Sequence, residues 1–503
     1  MEDISNLFDP KYISPIQEAA KNIWHLLAYD PSAPMLFSSG LFWMLFIIFL
    51  PIYAMLKNRR GQMVLFVVCF SLYFYYKSSG FFFLMLIATS MVDWFVSHII
   101  YRLKVRRARL CMMWFSIIIS LSILGYFKYA NFFLWNWNQM VEGNFQPLDI
   151  ILPVGISFYT FQSISYVVDV YKERIAPTEN WLDYLFFLSF FPALVAGPIV
   201  RADYFLPQLE RNERASNADI WGGLWLIIIG IIKKAVIADY IAQYNDLVFD
   251  EPSLYTGVQA LMGVLGYTMQ IYCDFSGYSD MAIGLALLMG FHLGINFDSP
   301  YQSRNLTEFW RRWHISLSSW LRDYVYIPLG GNRRGVFRTY LNNFLTMLIG
   351  GLWHGAAWKF IFWGAMHGVG LAIHKACRPV LSRIPDNFLT IFIGWSITFV
   401  YVSLLWVFFR ASDFATSVLI IENIFRDFNP AQIPQFFEAR TEWCVMMIIL
   451  IICHFLPQQW ADVLQSLFIR MNWVLKLIIF LLTVQLVVEF MSEEVAPFIY
   501  FQF

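Results

Sequence analysis

Charged residues make up only 14% of this 503-residue chain, against roughly 25% in a soluble domain. That shortfall excludes an ordinary water-soluble globule. Thirty-five Lys and Arg balance 35 Asp and Glu, so no net charge is present to draw in a nucleic acid. The six cysteines (Cys69, Cys111, Cys273, Cys377, Cys444 and Cys453) form no C-x-x-C pair and lie mostly in apolar runs. They read as packing residues, and neither a disulfide framework nor a metal site is expected. The first residues lack the basic-then-apolar order of a secretory signal peptide, so insertion is expected to rely on internal spans. Also missing are a G-x-S-x-G elbow, an H-E-x-x-H zinc motif, a Walker loop and a G-x-G-x-x-G turn, which disfavours a serine hydrolase, a zinc protease and an ATP-driven pump.

What the chain does have is apolar length. Hydrophobic residues reach 59%, aromatic residues 19%, and the mean hydropathy is +0.56. A membrane helix needs ~20 mostly apolar residues. Candidate spans are Met35–Leu56, Met63–Tyr76, Phe81–Ile100, Leu110–Phe127, Pro153–Tyr171 and Trp221–Ile241. Leu254–Leu293 reads as two spans or one broken helix. Leu341–Ile349, Ala356–Lys375, Phe388–Phe409, Cys444–Phe455 and Trp473–Phe490 follow. The pattern predicts an all-α polytopic membrane protein of about 11–13 spans. Basic clusters follow the first span (Lys57, Arg59, Arg60) and the third (Arg102, Lys104, Arg106, Arg107, Arg109). By the positive-inside rule they face the cytoplasm, which places the N-terminus outside.

Three stretches are unlike plain spans. Ser189–Arg201, "SFFPALVAGPIVR", is apolar but interrupted by Pro192 and Pro198. It is expected to bend or re-enter, which backbone at membrane depth does only when enclosed by protein or lining a cavity. Glu308–Gly331, "EFWRRWHISLSSWLRDYVYIPLGG", is too polar to span. Read as one helix, it places Trp310, Trp313, Leu317, Trp320, Leu321 and Tyr324 on one face and most charges on the other, with His314 on the border, the pattern of an interfacial helix. That pattern is equally that of a plain amphipathic anchor with His314 a bystander. In "GGLWHGAAW" (Gly350–Trp358), Gly350–Gly351 is expected to break the preceding helix and to let a ligand or another backbone approach, and His354 to open the next helix. An ionisable group at membrane depth marks a cavity or pathway, although a lone histidine can also be a satisfied packing residue. His367 and His374 share a face away from His354 and read as structural. Lys233, Lys234, Asp274 and Asp280 inside spans suit either an ion-coupled transporter or internal hydrogen bonding.

Five ordered blocks then carry a resemblance: "LPVGISFYTFQSISYVVDVY" (Leu152–Tyr171), "FFPALVAGPIVR" (Phe190–Arg201), "YCDFSGYSDMAIG" (Tyr272–Gly284), "FWRRWHISLSSWLRDYVYIPLGGNRRG" (Phe309–Gly335) and "GLWHGAAWKFIFWGAMHG" (Gly351–Gly368). With the terminus "PFIYFQF" (Pro497–Phe503), they resemble the bacterial alginate O-acetyltransferase-like branch of the membrane-bound O-acyltransferase (MBOAT) family. The resemblance covers residues 35–503, read as one transmembrane domain, and leaves residues 1–34 as an extra, extracytoplasmic segment with a short amphipathic helix over Ile13–Leu27. It implies an MBOAT-type multi-helix bundle with re-entrant and amphipathic interfacial helices around a central chamber, in the cytoplasmic (inner) membrane of a bacterium.

The resemblance also implies that His354 is the family histidine of the W-H-G block and His314 the second active-site histidine. It implies acetyl transfer from acetyl-CoA, a donor substrate and not a bound cofactor, to an extracytoplasmic polysaccharide or a partner transferase. In that frame His354 is the general base, and His314 polarises the thioester carbonyl or positions the donor. Arg311, Arg312, Arg333, Arg334 and Trp353 are candidates for holding the donor, the arginines through its phosphates; interfacial anchoring and positive-inside bias are the other reading of each arginine. D-alanyl transfer from a carrier-protein thioester to teichoic acid is the alternative within the family. A transporter or flippase, or a scaffold of an envelope complex, is the alternative outside it.

Overall fold

The computed structural model describes residues 25–195 and 197–490. Residues 1–24, most of the helix expected over Ile13–Leu27, and the terminal block Pro497–Phe503 lie outside them. Every regular element among the described residues is helical. The helices are α1 (Gly40–Leu56), α2 (Arg60–Ser79), α3 (Phe83–Arg102), α4 (Arg106–Leu124), α5 (Ala130–Val141), α6 (Ile156–Tyr171), α7 (Trp181–Ser189), α8 (Ala202–Arg211), α9 (Asn217–Ile231), α10 (Asp239–Asp250), α11 (Gly257–Leu288), α12 (Leu306–Arg312), α13 (Ile315–Leu321), α14 (Val336–His354), α15 (Trp358–Leu381), α16 (Phe388–Arg410), α17 (Phe414–Arg426), α18 (Gln432–Ala439), α19 (Thr441–Phe455), α20 (Gln458–Arg470) and α21 (Trp473–Phe490).

Five helical stretches among the described residues are long and apolar enough to cross a membrane: Arg60–Arg102, Arg106–Val141, Asn217–Asp250, Phe388–Arg410 and Trp473–Phe490. The α19–α20 pair adds a sixth if its 98° bend is taken within one span. The other expected spans are helical but are shorter, or hold polar residues that protein covers. In α6 fourteen of sixteen residues are buried, among them Gln162, Ser163 and Asp169. Such helices need not be uniformly apolar, because protein and not lipid surrounds them.

Glycine decides where the inner helices touch. A Cβ at Gly230 would lie 2.5 Å from the Gly277 carbonyl oxygen, and one at Gly284 would lie 2.5 Å from that of Gly223. The α9 and α11 backbones therefore meet directly, as small residues permit. This explains why Leu254–Leu293 contains one unbroken 32-residue helix, α11, and not two spans. Its glycines are contact points and not breaks. The α14–α15 hairpin closes in the same way through Gly351 and Gly364, whose hypothetical Cβ atoms would each lie 2.9 Å from the other's Cα.

The proline-rich stretch behaves as its composition predicts. After α7 ends at Ser189, only Phe191–Leu194 is helical, and Ser189–Val195 and Gly197–Val200 are buried among the helices. Non-helical backbone is thus enclosed by protein here.

Candidate functional site

Two breaks in the sequence-expected helices place the histidines. The amphipathic stretch is not one helix: α12 ends at Arg312, and α13 begins at Ile315. Between them His314 takes a left-handed backbone, φ +44° and ψ +56°, a conformation in which Asn, Asp and His are enriched among non-glycine residues. The turn directs the imidazole into the core, where His314 is fully buried.

Asn296 pins the turn. Its carbonyl accepts from Ile315 N at 2.9 Å. Its side-chain Oδ1 accepts from Ser316 N at 3.2 Å and from Ser316 Oγ at 2.9 Å. A backbone N–H can only donate, so Oδ1 is the acceptor end of that amide. His314 Nδ1 stands 3.1 Å from the same oxygen and must donate to it. The Nε2 lone pair is then left over, and Nε2 has no hydrogen-bond partner among the described residues.

His354 closes α14 and does not open α15, and Gly350–Gly351 lies inside the helix. The break comes at Gly355, whose backbone is extended (φ −166°, ψ 155°). A Cβ there would lie 2.1 Å from the Phe360 ring. Trp358 consequently points away and is exposed, whereas His354 and Trp353 are buried. Backbone approach, the second reading of the glycine pair, holds for Gly351 alone. Gly350 meets only the tip of Leu321.

Both imidazoles approach one indole. Trp353 lies 6.0 Å from the His314 ring and 5.0 Å from that of His354, centroid to centroid. Phe275 covers His314 edge-on, and Trp363 and Phe409 do the same for His354. Trp353 is held by α6: its ring stacks on Phe161 at 5.4 Å. Phe161 in turn lies parallel to Trp320 at 3.7 Å.

A small cavity of about 80 Å³ opens on His354, walled by Trp353, Lys128, Val195 and the 152–158 turn. It has room for a few waters or a short acyl group. Gly155 shapes that turn with φ +74°. Any side chain there would collide with the Leu194 carbonyl, 2.6 Å from the Cβ position. The buried His354 imidazole at this cavity can exchange a proton with a hydroxyl and a leaving group, whereas His314 is not among the residues that wall it.

The model of the MBOAT, membrane-bound O-acyltransferase, family matches residues 172–414, which contain both histidines. The probable alginate O-acetylase AlgI of Pseudomonas aeruginosa is 42% identical over 399 residues, covering 78% of this chain and 75% of that protein. The chain belongs to the membrane-bound O-acyltransferase family. The peptidoglycan O-acetyltransferase of Helicobacter pylori is 39% identical over 386 residues, 72% of this chain and 73% of that protein. The teichoic acid D-alanyltransferase of Bacillus subtilis is 28% identical over 297 residues, 56% and 74% respectively. This MBOAT protein is thus an O-acyltransferase and a multi-pass membrane protein.

Within this MBOAT fold the four arginines singled out from sequence are unequal. Arg312 is engaged by Glu308 at 3.0 Å and by Asp298 at 3.8 Å. Arg311, Arg333 and Arg334 are exposed. A second basic group escaped the sequence reading. Arg201 pairs with Asp323 at 3.0 Å and lies over the Tyr324 ring at 4.7 Å, while Tyr324 donates to Asp169 at 2.5 Å. Burial opposes the ionised form of Asp323, but Arg322 and Arg201 outweigh it and hold the carboxyl below its usual range.

His367 is nearer to the site than its spacing suggested, because the Trp363 ring contacts both it, at 4.6 Å, and His354, at 5.1 Å. Its Nδ1 accepts from Trp310 Nε1 at 3.3 Å. His374 meets Thr307 Oγ1 at 2.9 Å. The intramembrane charges close on one another: Lys233 with Asp280 at 2.7 Å, and Lys234 with Asp274 at 2.5 Å and Asp239 at 2.7 Å. Asn296 and Lys128 were also missed. Asn296 sits in an unremarkable loop, "GINFDSP", with no local signal. Lys128, in "LGYFKYAN", does carry one, as a lone cation in a long apolar run.

Proposed function

We propose that this O-acyltransferase takes an acetyl group from a cytoplasmic thioester, acetyl-CoA, and delivers it across the membrane toward hydroxyls of an envelope polysaccharide or of a partner transferase. The observation that carries this reading is the pair of buried histidines that both approach the Trp353 ring, one of them at a cavity sized for a short acyl group. The relatives named as O-acetylases of alginate and of peptidoglycan support acetyl as the group and an envelope glycan as the acceptor. D-alanyl transfer is the second reading, supported by more distant relatives.

In this mechanism His354 removes the proton as the acceptor hydroxyl attacks the thioester carbonyl. The resulting imidazolium returns that proton to the departing thiolate. A neutral His314 with its proton on Nδ1 offers only a lone pair at Nε2, so it suits an O–H or N–H of a substrate better than a carbonyl oxygen. The exposed Arg311, Arg333 and Arg334 remain available to the donor's phosphates. The Lys–Asp pairs act as internal ties, which weighs against an ion-coupled transporter.

The test is acetyl transfer from radiolabelled acetyl-CoA by membranes carrying the full chain, with His354→Ala beside wild type. Loss of transfer at normal protein level is the expected result. Near-normal transfer by the variant would remove His354 from the chemistry. Transfer that requires a carrier-protein thioester in place of acetyl-CoA would favour D-alanylation.

A further inference from the structure

The end of α14 has a chemical problem. A helix leaves its last carbonyls without intrahelical donors, and α14 ends at a buried histidine. Among the described residues the solution comes from another part of the chain. Tyr129 donates its hydroxyl to the Leu352 carbonyl at 2.7 Å. Lys128 donates to the Trp353 carbonyl at 2.7 Å and to the His354 carbonyl at 3.0 Å. Its ammonium also stands 3.4 Å from Ser157 Oγ, on α6.

Both donors lie on a π-helical segment, Gly125–Tyr129, set between α4 and α5. Such wide turns are rare and recur at functional sites. Lys128 therefore ties together three elements, and it also lines the cavity onto which His354 opens. A cation at a helix C-terminus is favourable by itself. Here it sits on the carbonyl of the very residue whose side chain enters the cavity.

From this geometry we infer that Lys128 is a positioning residue for acyl transfer, fixing the last turn of α14 so that His354 enters the cavity at one defined angle. This inference rests on the assignment of His354 above. A positioning group acts on the chemical step and not on capture of the donor. Displacements of ~1 Å are enough to cost ~100-fold in rate.

The experiment compares Lys128→Met, Lys128→Arg, Tyr129→Phe and His354→Ala in washed membranes fed radiolabelled acetyl-CoA, with rates normalised to folded protein by detergent gel filtration. Lys128→Met is expected to lower kcat by at least ~10-fold while KM for the donor stays within ~2-fold. Lys128→Arg, which can donate to the same carbonyls, is expected to recover most of that loss. Tyr129→Phe, which removes one neutral cap further from the histidine, is expected to do less harm than Lys128→Met. A raised KM with unchanged kcat in Lys128→Met would overturn the inference, as would an Arg variant as inactive as the Met one. If the Met variant does not survive extraction, Lys128→Gln takes its place and must show the same split. An inactive His354→Ala beside a normal Lys128→Met would refute only the role of Lys128. A normal His354→Ala would refute the reading beneath it.

Discussion

Gly350 and Gly351 are neighbours in sequence and opposites in the structure, so one methyl group on each makes a sharp test. At Gly350 a Cβ would meet only Leu321 Cδ1, at 3.1 Å, the far end of a flexible side chain. At Gly351 it would lie 2.3 Å from the Phe360 carbonyl oxygen and 2.9 Å from Gly364 Cα, both backbone atoms of α15. Alanine gains up to ~1 kcal/mol over glycine in a helix interior at either position. For Gly350→Ala that gain stands almost unopposed, and stability is expected to be unchanged or slightly raised. For Gly351→Ala the two helices must part by about 1 Å to restore ordinary contact. Overpacking of this kind costs ~1–3 kcal/mol, more when backbone must move, so the net effect is destabilising. The displaced turn carries His354 three residues later, and an activity loss on the order of 100-fold is expected. Heat-induced loss of the monodisperse peak in detergent reads the first effect, and acetyl transfer reads the second. Equal melting and equal turnover of the two variants would refute direct backbone contact between α14 and α15.

Two further outcomes follow from the charge pairs. Lys234→Met takes the shared cation from the buried Asp274 and the largely buried Asp239. Breaking a buried pair in this way costs about 3–5 kcal/mol, so a large fall in the heat-denaturation midpoint is expected, and an unchanged midpoint would show that the network is not closed. Asp323→Asn removes the partner of Arg201 at a partly exposed position, where an ion pair is worth under ~1 kcal/mol. The Asp323 carboxyl is held low in the folded chain. Its stabilisation is therefore complete above the unfolded value near ~3.9 and is lost as pH falls through the lower folded value. Wild type and variant should accordingly differ slightly in melting at pH 7 and converge in strong acid, and a gap that widens toward acid would contradict the pairing.

Much of this architecture is written in local sequence, and the exceptions have physical causes. Pro192 and Pro198 announce an irregular segment because proline denies the helix both a donor and space. The long apolar runs announce spans. The break between Trp313 and His314 announces itself in no such way, since neither glycine nor proline is present. It depends on Asn296, a residue 18 positions away that supplies the acceptors for the turn. The length of Leu254–Leu293 misled in the opposite direction, since a run too long for one span holds one unbroken helix with Gly277 and Gly284 inside it. Glycine in a helix can mark a break or a close neighbour, and only the partner helix, through Gly223 and Gly230, decides between them. The same ambiguity displaced the end of α14 from Gly350 to Gly355. That His314 and His354 belong together was implied by the family resemblance. That His314 comes within 6.0 Å of the indole next to His354 is a property of tertiary packing, which no spacing encodes.

The left-handed backbone at residue 314 narrows what can occupy that position. Glycine adopts φ +44° without strain, and asparagine and aspartate do so more readily than most. Alanine must absorb roughly 1 kcal/mol of backbone strain there, on top of losing an imidazole. The usual truncation would therefore disturb the turn that pins α13 and could silence the protein for a reason unrelated to proton transfer. Asparagine is the informative replacement, because it accepts the backbone and discards the lone pair at Nε2. The conformation thus acts as a filter on drift: few residues suit the fold at this point, and histidine is one of those few that also offers a titratable nitrogen to the interior.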